Sequence, residues 1–407
     1  MNMIKPIVAV RVKTGSWLRE PSWAKVVFQP LCEAEPSLAP ERIGHWEPLR
    51  LPFGSYHDAE QNWGLGLHWS SRKSRSHGTG TWVGDGAVPI HADIHLDAQP
   101  APRSKSLRSF EKVFCAWSTD LNADIAHLHL VTAHDIESMR DAKELCALDA
   151  KRTKFTTMWS THDLRRCLPN FHWGMIFGPP YIDLFGRDVL LSAPAHRVRE
   201  LPSGQILIQL TEDLRDLETD YPRVAAARER VKDYLGRDAF WSPAMATYRA
   251  PTFTFPETGQ VLPPAKNPRD VCDDLIRLLC KDADLALRAN KLEYPNAWYS
   301  DHREQTVAFP WQSEGSSWLD DSEYPTFEAK RARYEQLFQQ TRVVTAGGTA
   351  RPDTVPTAKG PEPALLIHVE HKSGYGRRLA LPYKPGWAYS GFGEPVDLDY
   401  APYLFPR

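Results

Sequence analysis

Short alternating and helical periods of apolar residues follow one another along the chain. Ile4 to Val12 alternates and is rich in β-branched residues, which predicts a strand. Trp23, Val26, Val27 and Leu31 recur at helical spacing behind an early proline, which predicts a helix from Pro21 to Leu31. Three strand-like runs lie between Asn62 and Asp97: Trp63, Leu65 and Leu67, then Thr79 to Val83, then Val88 to Leu96. Ser71 to Gly78 and the Asp85-Gly86 pair separate them as turns, so an antiparallel meander is the economical reading. Leu107 to Trp117 reads as a helix and Ile125 to Val131 as a strand. Thr132-Ala133-His134-Asp135 and Ser160-Thr161-His162-Asp163 then have the pattern of helix starts. Pro202-Ser203-Gly204 joins the strands Val198 to Leu201 and Gln205 to Leu210. The amphipathic run Tyr221 to Leu235 stops at Gly236, a residue able to take the left-handed conformation that ends helices.

Residues 242 to 267 are crowded with Pro, Thr and Ala and predict an extended connector. Helices are expected over Pro268 to Leu287 and Pro325 to Gln340, a linker over Val343 to Pro363, and a strand over Ala364 to Glu370. Hairpins interleaved with helices predict an α+β fold, with mixed and antiparallel sheets, helices packed on one face, and an irregular Pro-rich C-terminal extension. The expected divisions are 1–150, then 151–241 packed with the first as one unit, then 242–407.

Composition narrows the function. With 42% hydrophobic and 25% charged residues over 407 positions the chain is an ordinary globular one, which excludes disorder. Its formal charge of -2 provides no field to hold nucleic acid or an anionic membrane nonspecifically, so no direct contact with either is expected. The first residues carry no small-residue cleavage site behind an apolar run, and no window approaches the length of a membrane span. Six cysteines, scattered and without a C-x-x-C pair, read as buried reduced thiols and favour the cytoplasm.

Candidate chemistry is sparse. His91, Asp93, His95 and Asp97 alternate with Ala92, Ile94 and Leu96, so on a strand their side chains share one sheet face. Imidazole and carboxylate suit zinc, manganese or iron, with His127, His129 and His134 as further donors if the two strands pair. A metal-dependent hydrolase using His91, Asp93, His95 and His129 is therefore the alternative reading, set against a half-buried strand with a solvated polar face. His134-Asp135 and His162-Asp163 invite comparison with a metal phosphohydrolase dyad, but helix capping explains them more cheaply. His368-Val369-Glu370-His371 misses the H-E-x-x-H spacing, and neither a G-x-S-x-G elbow nor a Walker A run is present. Arg72, Lys73 and Arg75 form a small basic loop. Glu314, Asp320, Asp321 and Glu323 lie among Trp311, Trp318 and Tyr324, so carboxylates that can mimic phosphate flank rings that can fill a cleft.

One segment adds a lineage. Between Leu164 and Trp241, the residues His172-Trp173-Gly174-Met175-Ile176-Phe177-Gly178-Pro179-Pro180-Tyr181, Leu184-Phe185-Gly186, Pro194-Ala195, Leu201-Pro202-Ser203-Gly204 and Ile206-Leu207-Ile208-Gln209-Leu210 resemble bacterial immunity proteins of the type VI secretion and polymorphic-toxin kind. The resemblance implies an α+β protein without enzymatic activity or cofactor that neutralises a cognate toxin by binding it. On that expectation the acidic loop, with Trp311, Trp318, Asp320, Asp321 and Glu323, is the candidate toxin-binding site. Physically, the matching residues read as scaffold: Gly178-Pro179-Pro180 forces a turn and presets a helix, and Trp173 and Phe177 bury large areas.

Overall fold

The computed structural model describes residues 4–64, 66–81, 89–100, 107–138, 144–242, 244–245, 247–288, 296–301, 306–308, 344–357, 360–384, 391–402 and 404. It is α+β, with two compact units, Met1–Pro264 and Ala265–Arg407. The connector from residue 242 falls with the first unit as far as Pro264, and the segments 1–150 and 151–241 share one sheet.

That sheet has β1 (Ile7–Thr14) near its middle, in the order β11-β12-β10-β7-β1-β6-β5-β4-β2-β3, and every neighbouring pair is antiparallel. The other strands are β2 (Arg42–Gly44), β3 (Leu51–Pro52), β4 (Gly66–Ser71), β5 (Ser76–Thr81), β6 (Ala92–Ala98), β7 (Ile125–Val131), β10 (Gly174–Phe177), β11 (Arg197–Glu200) and β12 (Ile206–Gln209). β8 (Leu145–Ala147) pairs with β9 (Phe155–Thr157), and β13 (Phe253–Phe255) with β14 (Gln260–Leu262). Val8, Val10 and Val12, with Ile94, Leu96, Leu128 and Leu130, face α1 (Trp23–Ala34) and α3 (Arg108–Asp120) in one core. Indole N–H groups fasten it: Trp117 donates to the Val27 carbonyl and Trp63 to that of Leu18, both at 2.8 Å. Trp69 meets Phe28 and Trp117 edge-on, at 5.2 and 6.2 Å.

Short helices fill the connections: α2 (Tyr56–Gln61), α4 (Ala133–Ser138), α5 (Thr161–Leu164), α6 (Pro179–Phe185), α7 (Arg187–Leu191) and α8 (Asp216–Thr219). α9 (Tyr221–Leu235) buries Val224, Ala227, Val231 and Leu235 in the same core and ends, as expected, at Gly236 with φ +99°. The segment 172–210 folds as its residues dictate. β10 leads into the Gly178-Pro179-Pro180 turn, α6 stops at Gly186 with φ +89°, and β11 and β12 form a hairpin across Gly204.

Several expectations shift. Trp63 lies beyond the end of α2 rather than on a strand, because the capping box of Ser55 and Asp58 starts a helix just before it. The turn before β5 is shorter than Ser71 to Gly78, and Ser76 already pairs with Ser71. Asp85-Gly86 lies outside the described residues. The connector after residue 242 contains the β13–β14 hairpin, whose Phe253 is fully buried. Cys32, Cys115, Cys146 and Cys280 are half-buried where full burial was expected, and Cys167 and Cys272 are buried.

In the second unit, α10 (Pro268–Arg288) lies on a sheet ordered β16-β15-β17-β18-β19-β20, comprising β15 (Asn296–Asp301), β16 (Thr306–Ala308), β17 (Val344–Thr357), β18 (Gly360–His371), β19 (Gly376–Pro382) and β20 (Val396–Leu398). The predicted linker over Val343 to Pro363 is instead most of the long β17–β18 hairpin. Its glycines and prolines misled the pattern. A Cβ at Gly348 would come within 3 Å of both Val369 and Leu279, so glycine there admits close helix-to-sheet packing. β15 pairs with β17 only as far as Ala350, and Pro352 and Pro356 come after it, where a missing amide donor is tolerated.

A Cβ at Gly178 would sit 2.0 Å from the Ala123 carbonyl oxygen and 2.9 Å from Cα of Asp124, both backbone atoms. Gly178→Ala is therefore expected to destabilise the protein by about 2–4 kcal/mol, in the range of severe overpacking. A urea transition followed by tryptophan fluorescence measures it, and an unchanged midpoint would show that the turn yields.

Candidate functional site

Strand alternation sends Arg11, Lys13, Asp93, His95, Asp97, His127 and His129 to the sheet face opposite α1 and α3. β1 lies between β6 and β7, so Arg11 stands in register between His95 and His127, and Ala9 between Asp97 and His129. The two histidine-bearing strands therefore do not pair, and cations occupy the space between them. Lys13 Nζ lies 3.0 Å from Asp93, and Arg11 Nη2 lies 2.7 Å from Asp97. β9 lies above: Arg11 Nε donates to the Thr157 carbonyl at 2.8 Å, and Thr156 Oγ1 donates to Asp97 at 2.5 Å.

The remaining polar groups interlock beside this pair. His127 Nε2 is 2.8 Å from Thr157 Oγ1, and its ring lies 4.2 Å from those of both His172 and Trp159. The Trp173 amide donates to His129 Nδ1 at 3.2 Å, so Nε2 is the ring nitrogen that donates to Asp135, at 3.1 Å. Asp135 also accepts from the Thr132 amide and hydroxyl, the helix-start role read from the sequence. It further faces Arg228 of α9 at 3.8 Å, which spacing did not reveal. Glu144 accepts from the Trp159 indole at 2.9 Å and from Asn170 at 3.1 Å, with His172 Nε2 at 3.4 Å, an ion-pair separation without good hydrogen-bond geometry.

His127, His129, His172, Asp135 and Glu144 are each at most 1% exposed, so no substrate reaches them. Burial, with neighbouring imidazole and Arg11, holds His127 far below its ordinary range, and burial brings His172 down to about 4 against the opposing pull of Glu144. Burial resists ionisation of Asp135, but His129, Arg228 and the Thr132 amide outweigh it and lower the carboxyl to about 2.

The sequence-predicted metal set is not brought together. His91 precedes β6 and turns away. Its Nδ1 is 2.9 Å from Thr161 Oγ1, its Nε2 is 3.2 Å from Asp124, and Phe253 and Phe255 box the ring. Asp93 is engaged by Lys13, and His129 by Asp135. Among the described residues no three His, Cys, Asp or Glu side chains are grouped to hold a metal ion. His162-Asp163 caps α5 through Ser160, as expected. His368 and Glu370 share one face of β18, 2.5 Å apart, while His371 points the other way. Trp311, Trp318, Asp320, Asp321 and Glu323, with the expected helix from Pro325, lie outside the described residues.

An accessible concavity of about 590 Å³ lies on the α3 side of the sheet, at its β11 edge. α3 supplies Arg108 and Lys112 from its exposed flank, and β11 supplies Arg197 and Arg199. Phe114 and Leu207 form an apolar floor. The sequence signal for this cleft was an arginine at every second position of a strand beside an apolar one, which aims both at one face.

No protein-family model matches the chain, and no curated protein matches it. Among solved structures it is similar to the Pseudomonas aeruginosa T6SS protein PA0821, at 11% identity and a TM-score of 0.35, over 58% of this chain and 84% of that one. No described helix is long and apolar enough to cross a membrane.

The buried layer makes stability depend on pH. His127 and His172, whose pKa values are lowered in the fold, take up protons when unfolded, so their contribution is complete above pH 6.5 and is lost as the pH falls toward the folded value, about 4 for His172, at up to about 1.4 kcal/mol per pH unit for each. Urea midpoints measured from pH 7 to pH 4.5 should fall steadily, and His172→Phe should flatten that slope. Asp97→Ala, which strands Arg11 without its counter-charge, is expected to cost about 3–5 kcal/mol in the same assay.

Proposed function

We propose that this chain is a cytoplasmic immunity protein, which binds a cognate bacterial toxin and neutralises it by covering the toxin's active site or substrate channel. The observation that carries the reading is the sealing of the histidine and carboxylate layer. The groups with the best chemistry for turnover are enclosed by β9, α9 and the segment around Trp159 and His172, and they bind one another. On this reading the function lies at the surface. The segment that resembles immunity proteins builds one edge of the large sheet and walls an open cleft there. Binding through shape and charge, with no cofactor and no reaction of its own, is the activity this reading assigns.

Co-expression with the toxin encoded beside this gene is the test. Cells are expected to survive when both are present, and the two proteins to co-purify as a stoichiometric complex. Toxin killing undiminished by this chain would falsify the reading. So would turnover of a substrate by the purified chain that disappears in His95→Ala or His129→Ala.

A further inference from the structure

The cleft at the β11 edge has the wrong charge for an idle surface. The whole chain is slightly acidic, at -2, yet Arg108, Lys112, Arg197 and Arg199 line one concavity against two acids, Glu111 and Glu212. Among the described residues no carboxylate lies within ion-pair distance of Lys112, Arg197 or Arg199; Arg199 instead donates to Cys115 Sγ at 3.3 Å. By register Arg197 stands opposite Gln209 and Arg199 opposite Leu207, so both guanidinium groups lie on the face that α3 overhangs. The first turn of α3, the positive end of its dipole, borders the same space through Arg108 and Glu111. Glu111 sits among these arginines, and burial raises its carboxyl pKa against their pull. Cations gathered over the apolar floor of Phe114 and Leu207 describe a receptor for a chain that alternates carboxylates with apolar side chains.

We infer that this cleft is the docking site for an acidic polypeptide segment of a partner protein. A protein segment fits better than nucleic acid because the cleft is short and its floor is aliphatic and aromatic, while the chain's net charge of -2 supplies no overall field to hold a phosphate backbone. The assignment rests on the immunity reading only in naming the toxin as the source of that segment.

The test uses the full chain with a fluorescently labelled peptide of alternating Glu and Leu, and as competitor a single-stranded oligonucleotide of equal charge. Saturable binding to the peptide is expected, weakening as salt rises from 50 to 300 mM. Arg197→Glu with Arg199→Glu should weaken it at least tenfold, while Arg230→Glu on the exposed face of α9 should leave it unchanged. A melting curve like that of the wild type confirms that the double variant is folded. Equal peptide affinity for wild type and double variant overturns the assignment, as does tighter binding of the oligonucleotide through the same arginines. If the wild-type chain rescues cells and the double variant rescues equally well, the cleft is not the toxin contact, although the immunity reading stands. If the wild type fails to rescue but binds the peptide through Arg197 and Arg199, the reverse holds.

Discussion

The central constraint on the large unit is the burial of Arg11 beneath β9. A guanidinium moved out of water costs several kcal/mol unless its donors are met, and here Asp97, the Thr157 carbonyl, the Thr156 hydroxyl and two backbone carbonyls of the sheet meet them. That requirement fixes β9 over β1, and β9 in turn positions Thr157 for His127 and leads directly to Trp159. The second face of the sheet is thus assembled outward from one charge. Hydrophobic burial on the α1 and α3 side supplies most of the driving force, but it does not specify which loop covers the other side.

The same constraint explains why a face rich in histidine and carboxylate need not be a catalytic one. Arg11 and Lys13 enter between β6 and β7, and a cation placed there opposes a metal ion electrostatically while consuming the carboxylates that would hold it. Enclosure then removes access. Exposed charge is found instead at the α3–β11 cleft, where Lys112, Arg197 and Arg199 face solvent.

Much of the first unit was legible. β7 and α9 match their predicted limits, because Ala126, Leu128 and Leu130 alternate with His127 and His129 between β-branched ends, and Tyr221 to Leu235 keeps a helical period. The β11–β12 hairpin was announced by its turn. Strand order was not legible: nothing in the residues says that β1, first in sequence, lies between β6 and β7, and on that insertion the expected metal site depended. Glu144, His172 and Arg228 were invisible as partners because they come from three separate stretches and meet only through tertiary packing. The linker reading of Val343 to Pro363 failed for a different reason. Glycine and proline break local propensity, but a strand paired along its whole length with β18 needs little propensity of its own.

The placing of those prolines has a further consequence. A long strand left open along one side is a template on which other copies of a chain can stack. Among the described residues, β17 pairs with β15 only as far as Ala350, and beyond it Pro352 and Pro356 each lack the amide that such stacking would use. Pro352 and Pro356 therefore cannot donate to a strand added at those positions, and they are among the residues that made the segment look unstructured.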